Sequence, residues 1–190
     1  MKVLCILGSP RKKGNTAKIL GWVEEELRSR GHQVEHLHIA DHKLEGCVAC
    51  YKCQIDPDEL ECSRDDEGVE IFRRLKEADV AVYATPLYCW GFTSQMKPFI
   101  DRHLCLCTGA DDPSTYQSHI ENKRMALLVT AADKAGEGNT DLIQEVFKRL
   151  TDYTKSRVVA LLIVPFCTKP EDLGDSHREK ARAFAAEIVG

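Results

Sequence analysis

The sequence predicts an α/β fold: a doubly wound, five-stranded parallel sheet in the order 2-1-3-4-5 with helices on both faces. Three observations lead there. Five short apolar runs alternate with segments of helical spacing, the pattern of a parallel sheet layered by helices. One run, Val80 to Ala84, is apolar at every position, as a strand covered on both faces requires. The first run, Val3 to Leu7, stops at Gly8, and a polar loop leads into an amphipathic segment. Right-handed crossovers leave few arrangements of such units, and 2-1-3-4-5 is the common one.

The elements follow in order. Leu20, Val23 and Leu27 stripe the first helix, which Gly31 stops. Gln33 to Ile39 alternates weakly as a second strand, where His36 and His38 share a face and read as solvated or capping residues. Residues 41–66 lack periodicity and carry four cysteines, a long loop for a compact domain and hence a functional one. Val69, Phe72 and Leu75 mark a short helix before the third strand. Thr85 to Gly91 forms an aromatic loop, and a helix passes through Met96, Phe99 and Ile100. Residues 111–122 read as a polar excursion. Met125 to Thr130 is the fourth strand, with a loop from Ala131 to Gly136 after it. Leu142, Ile143, Val146, Phe147 and Leu150 pattern a helix, Val158 to Val164 is the fifth strand, and a helix from about Leu173 to Val189 ends the chain.

Composition narrows the function. The chain of 190 residues is expected to form one domain, residues 1–190, with the cysteine-rich loop at about 43–66 inserted after the second strand. Hydrophobic content of 43% and charged content of 29% suit a soluble globular protein, and a formal charge of −4 without a long basic run argues against nucleic acid as a partner. No run is long enough for a signal-peptide core or a bilayer span, so a cytoplasmic location without a membrane partner is expected. Nine cysteines without an export signal point to metal or redox chemistry rather than a disulfide framework. Cys5, Cys89, Cys105, Cys107 and Cys167 are scattered and read as small apolar filler.

In the predicted order, the loops after strands one, three and four meet at the carboxyl edge beside the switch point. The first has the ingredients of an anion site: Ser9, Arg11, Gly14, Asn15 and Thr16 at the start of a helix, whose N–H groups and dipole favour a phosphate. It is not a Walker A loop, since five residues separate Gly8 from Gly14 and Asn15 follows. Nor does it carry the dinucleotide fingerprint G-x-G-x-x-G. The second loop, with Tyr88, Trp90 and Gly91, suits a planar ring. A flat aromatic ligand with a phosphate tail satisfies both.

Cys47, Cys50 and Cys53 recur every third residue, as in bacterial ferredoxin runs, and Cys62 follows after eight intervening residues. Their spacing admits a 4Fe–4S cluster, a set of thiols or a disulfide, or zinc, which suits three tightly spaced cysteines least.

GSPRKKGNT and TPLYCWGFTSQMKPFIDR resemble the flavin loops of the flavodoxin-like NAD(P)H-dependent FMN reductases. The Cys47, Cys50, Cys53, Cys62 run further resembles the iron–sulfur flavoprotein branch, in which the gap before the fourth cysteine is somewhat shorter. The resemblance runs from Met1 to about Leu104. It implies that Ser9, Arg11, Asn15 and Thr16 hold the FMN phosphate, with Gly14 admitting close backbone approach. It also implies that Pro86, Leu87, Tyr88, Trp90 and Gly91 border the isoalloxazine. Asp133 and Gly136 are assigned to the third flavin loop from position alone. Expected from the resemblance are an FMN-dependent oxidoreductase and a homodimer or tetramer. Its donor would be NAD(P)H or a ferredoxin-type protein, and its acceptor a small molecule or redox protein. No catalytic side chain is assigned, because hydride arrival at the flavin needs none. A cluster-free FMN or quinone reductase and a non-enzymatic carrier like flavodoxin are the alternatives.

Overall fold

The computed structural model describes residues 1–109, 112 and 114–190. Five parallel strands, β1 (Lys2–Leu7), β2 (Gln33–His38), β3 (Val80–Pro86), β6 (Arg124–Thr130) and β7 (Arg157–Val164), form one sheet in the order β2-β1-β3-β6-β7. Taken as the first to fifth strands in sequence, this is the expected 2-1-3-4-5 order. Cys107–Thr108 (β4) and Gln117–Ser118 (β5) pair separately as a small antiparallel ribbon. The expected excursion begins at residue 111, outside the described residues, and its later part buries Ile120.

Side chains alternate across the strands, so each strand feeds two cores. Val3, Cys5 and Leu7 of β1, with Val80, Val82 and Ala84 of β3, meet Ile19, Leu20, Val23 and Leu27 of α1 (Asn15–Ser29) and Phe184 of α5 (Asp175–Val189). Leu4, Ile6, Ala81 and Tyr83 face the other way. They meet Ile71, Phe72 and Leu75 of α2 (Gly68–Glu77), Phe99 of α3 (Lys97–Asp101), and Ile143 and Phe147 of α4 (Asp141–Tyr153). Leu142 and Val146, which the periodicity also marks, stay exposed on α4. The reason is that β7 is an edge strand and α4 covers the sheet only with its Ile143/Phe147 side.

Two glycines have geometric reasons. Gly31 (φ +83°) ends α1, and the Gly31 and His32 N–H groups donate back to the Arg28 and Leu27 carbonyls, a Schellman closure that tolerates no Cβ strain. At Gly8, a Cβ would sit 2.5 Å from the Met96 sulfur, so the chain leaves β1 in direct contact with the aromatic-loop segment.

The aromatic core holds a buried histidine beside Tyr83. His103 is buried against Phe72 and Phe99. Its Nδ1–H donates to the Phe99 carbonyl at 2.9 Å, which leaves Nε2 to accept from the Tyr83 hydroxyl at 2.9 Å. Burial pushes its pKa down to about 4, so the folded protein holds the neutral ring. Because the unfolded chain binds that proton near pH 6.5, this group's stabilisation is complete above that pH and falls as the pH drops towards 4, by about 3 kcal/mol in all. Denaturant titrations of wild type and His103→Gln should differ in slope across that window. Parallel curves would contradict the assignment.

Candidate functional site

β1, β3, β6 and β7 all end at the same edge of the sheet, and the loops leaving them surround a cavity of about 450 Å3. That is the size range of small-molecule sites. The first wall is the loop before α1: Ser9, Arg11, Lys13, Gly14, Asn15 and Thr16 line it. The Ser9 hydroxyl, almost fully buried, accepts the Arg11 N–H at 3.1 Å, and the Gly14 N–H closes the turn onto the Arg11 carbonyl at 3.2 Å. A Cβ on Gly14 would press to 3.2 Å from the Arg11 Cβ and 3.7 Å from the Ser9 Oγ, so the turn closes tightly only with glycine. No side chain caps α1, which leaves its first N–H groups and its positive dipole end for an incoming anion. Lys12 is drawn aside to Asp41 at 2.8 Å, whereas Lys13 and Arg11 remain at the cavity.

Pro86, Leu87 and Tyr88 form the second wall. The Leu87 N–H donates to the Thr130 carbonyl at 2.8 Å, tying it to the end of β6. Tyr88 and Gly91 exchange both backbone hydrogen bonds, with Cys89 (φ +46°) and Trp90 (φ +62°) in the left-handed region between them. This tight turn carries Trp90 outward, 56% exposed, and neither Trp90 nor Gly91 lines the cavity. Asp133 and Gly136 do not line it either. The Asp133 carboxylate folds back onto the Lys134 N–H at 2.7 Å and the Gly136 N–H donates to the Thr140 hydroxyl, so that loop turns away after Ala132.

Several residues at the cavity carry no signal in the sequence motifs. Thr130, the last residue of β6, shares a 2.7 Å hydroxyl contact with Thr16. Cys167, Thr168 and Pro170 supply a wall from the loop after β7, and the Asn15 amide holds that loop by donating to the Lys169 carbonyl at 2.9 Å. Cys167 is therefore part of the site rather than filler. His38 is buried rather than solvated, since its Nε2–H donates to the Ser9 carbonyl at 2.7 Å and braces the anion loop from below. A strand-terminal position would have pointed to Thr130; the loop after β7 has neither the glycine nor the aromatic that marks the other two.

The chain belongs to the NADPH-dependent FMN reductase family. The family's profile matches residues 1–151. An iron-sulfur flavoprotein of Archaeoglobus fulgidus is 31% identical over 189 residues, covering all of this chain and 79% of that protein. One from Methanocaldococcus jannaschii is 30% identical over 146 residues, 77% of this chain and 69% of its own length. An FMN-dependent NADH-azoreductase from Bacillus anthracis, solved with FMN, superposes with a TM-score of 0.70 over the full length of both chains at 15% identity. This enzyme is thus an FMN-dependent oxidoreductase with a flavodoxin-like fold. The cavity's donor set fits the cofactor: an uncapped helix start with cations for the phosphate, and a Pro86–Tyr88 wall for the ring. No helix among the described residues is long and apolar enough to cross a membrane.

A second, smaller cavity is lined by thiols. Cys47, Cys50, Cys53 and Cys62 all face it, and so does Cys105 from the short 3-10 helix Arg102–Leu106. Among the described residues no three His, Cys, Asp or Glu side chains converge closely enough to ligate one metal ion. The loop is anchored at both ends. Asp66 accepts the Glu45 N–H at 2.8 Å and the Gly68 N–H at 2.9 Å, and the Gln54 amide donates to the Leu104 and Cys107 carbonyls.

Hydrogen bonding makes two of these thiols acidic. The Ser63 hydroxyl, 2.9 Å away, lowers Cys50, and the Cys105 thiol lowers Cys53 to about 6, while Cys105 itself is raised by the same bond and by burial. In metal-free protein, absorbance at 240 nm should show a thiolate step near pH 6. Cys53→Ser should remove it and Cys105→Ala should shift it upward; a step unmoved by either would contradict the pairing.

Proposed function

We propose that this enzyme couples FMN to a 4Fe–4S cluster held by Cys47, Cys50, Cys53 and Cys62, and so converts between hydride and single-electron carriers. The observation that carries the reading is the gathering of all four thiols of the ferredoxin-like run onto one cavity, in a chain whose relatives are named iron-sulfur flavoproteins. FMN takes up a hydride and gives up electrons in a pair or one at a time, whereas a four-iron cluster passes them singly. The donor in this reading is NAD(P)H or a ferredoxin-type protein, and the acceptor a small molecule or another redox protein. Residues 1–190 act as one flavodoxin-like domain in the cytoplasm, assembled as a homodimer or tetramer.

This chain's residues bind and orient. Arg11, Thr16 and the first N–H groups of α1 hold the phosphate, with Ser9 and Gly14 shaping the turn and Asn15 closing the loop after β7 over it. Pro86, Leu87 and Tyr88 hold the ring plane and exclude water from one face. Trp90 and Gly91, at the exposed tip beside Tyr88, are placed to meet a donor or acceptor arriving at the open face. Asp133 and Gly136 contribute through the fold of the third loop rather than by contact. Cys53, and Cys50 whose thiol the Ser63 hydroxyl makes more acidic than usual, would be the readiest of the four to offer thiolates to iron.

Anaerobic purification followed by absorption spectra and iron, sulfide, zinc and FMN assays tests the reading. About four irons per chain are expected. Cys50→Ser should lose iron and the broad brown absorbance while keeping FMN. Yellow protein without iron, or with zinc in its place, would overturn the cluster assignment and leave the cluster-free reductase. Arg11→Ala and Thr16→Val should each weaken FMN binding roughly 10- to 100-fold, the worth of a hydrogen bond to a charged group, in a fluorescence titration of apoprotein. Unchanged affinities would sink the phosphate assignment.

A further inference from the structure

His38, the last residue of β2, is buried, and each of its ring nitrogens faces an acceptor. Nε2 lies 2.7 Å from the Ser9 carbonyl oxygen, and Nδ1 lies 3.3 Å from Asp41 Oδ2, an ion-pair approach rather than an aligned hydrogen bond. Neither acceptor has a hydrogen to lend. Ser9 presents a backbone carbonyl, and the Lys12 ammonium, 2.8 Å from Oδ1, holds the Asp41 carboxyl below the usual carboxylate range, with His38 adding to this. A neutral imidazole carries one N–H, so one of its nitrogens would turn a lone pair on an oxygen. Imidazolium, with an N–H on each side, answers both.

The neighbouring charges are committed elsewhere. His36, two residues earlier on the same face of β2, pairs with Glu24 of α1 at 2.6 Å, and Arg28 holds the same carboxylate at 3.1 Å. His42 pairs with Glu67 at 2.8 Å. Asp41, at the end of the 3-10 turn Ile39–Asp41, is the carboxylate left to His38, and Lys12 shares it from the loop before α1. Arg11 and Lys13 of that loop lie at the flavin cavity. Ser9 joins the histidine to the cavity: it is almost fully buried, it lines the wall, and its carbonyl precedes Pro10, so this peptide has no N–H to offer an anion. Swung up towards the cavity, that oxygen would repel a phosphate. The bond from His38 keeps it beneath the loop.

We infer that His38 is a positioning residue whose second proton belongs to cofactor binding. As imidazolium it holds the Ser9 carbonyl under the anion loop, answers Asp41 and sets a positive charge behind the phosphate seat. The inference rests on the phosphate seat proposed above. Linkage gives the sign: a cation behind the seat favours the anion, and the bound anion favours the proton by the same factor. FMN affinity therefore declines once the pH is high enough to strip the ring of its second proton. The alternative is a neutral tether, acting through the Nε2–H bond alone.

Calorimetric titration of apoprotein with FMN and with riboflavin, from about pH 6 to about pH 9, separates the two on wild type, His38→Gln and Asp41→Asn. Glutamine keeps a neutral N–H donor but cannot take up a proton. The phosphate of FMN titrates alike with every variant, so the ratio of wild type to His38→Gln isolates the ring. Wild type should bind FMN about tenfold more tightly at the low end, the worth of one pK unit, and lose that advantage towards the high end. Riboflavin should show no such step. Asp41→Asn removes the counter-charge of the second proton and should move the step to lower pH, whatever uniform gain the freed Lys12 brings. If His38→Gln no longer binds FMN, the displaced step in Asp41→Asn decides. A ratio constant with pH, or a step unmoved in Asp41→Asn, would overturn the role of the second proton alone. Equal affinity of wild type for FMN and riboflavin at every pH would overturn the phosphate seat and this inference with it.

Discussion

The start of α1 is a set of backbone N–H groups that no partner among the described residues satisfies. Gly14 occupies the cap position without a side chain to offer, and Ser9, the nearest hydroxyl, is turned onto Arg11. A donor array of this kind, with the positive end of the helix behind it, favours an anion. The rest of the architecture holds that array still. Gly8 passes Met96 with no room for a Cβ, His38 braces the Ser9 carbonyl, and Thr16 and Asn15 lock onto β6 and the loop after β7. One end of the ligand is thereby fixed, and Pro86 to Tyr88 can present a flat wall to the other.

A comparable logic governs the cysteine loop. Its carboxyl-terminal end is built around Asp66, whose carboxylate the buried Arg102 grips through Nη1. The thiols themselves polarise one another, with Cys105 donating to Cys53 and Ser63 to Cys50, so the pocket is electrostatically prepared before any metal arrives. Both cavities thus gather polarisable or uncapped groups, backbone donors in one and acidified thiols in the other.

How far the sequence reads ahead differs by element. Strand order, both core faces and the Gly31 stop follow from local periodicity and handedness, which act over a few residues. That the loop before α1 and Pro86–Tyr88 share one cavity is legible because each sits directly after a strand in a recognisable motif. Trp90 lies outside the cavity lining, because a two-residue turn with left-handed Cys89 and Trp90 reverses the chain and leaves the indole exposed. Asp133 also lies outside the lining, its loop being closed by self-contacts of the Lys134–Thr140 segment. Thr130, Cys167 and Pro170, and above all Cys105, join their cavities only through tertiary packing. Nothing in their own neighbourhoods distinguishes a filler cysteine from one that faces four others.

The central claim is that a terminal phosphate, seated at the start of α1, anchors the cofactor. Comparing FMN with riboflavin on the same apoprotein tests it directly, since the two differ only in that group. Calorimetric titration should find FMN bound at least about 100-fold more tightly, the worth of two hydrogen bonds to a charged group. Equal affinities would mean that the ring alone is recognised, and the uncapped helix would have no role in holding it.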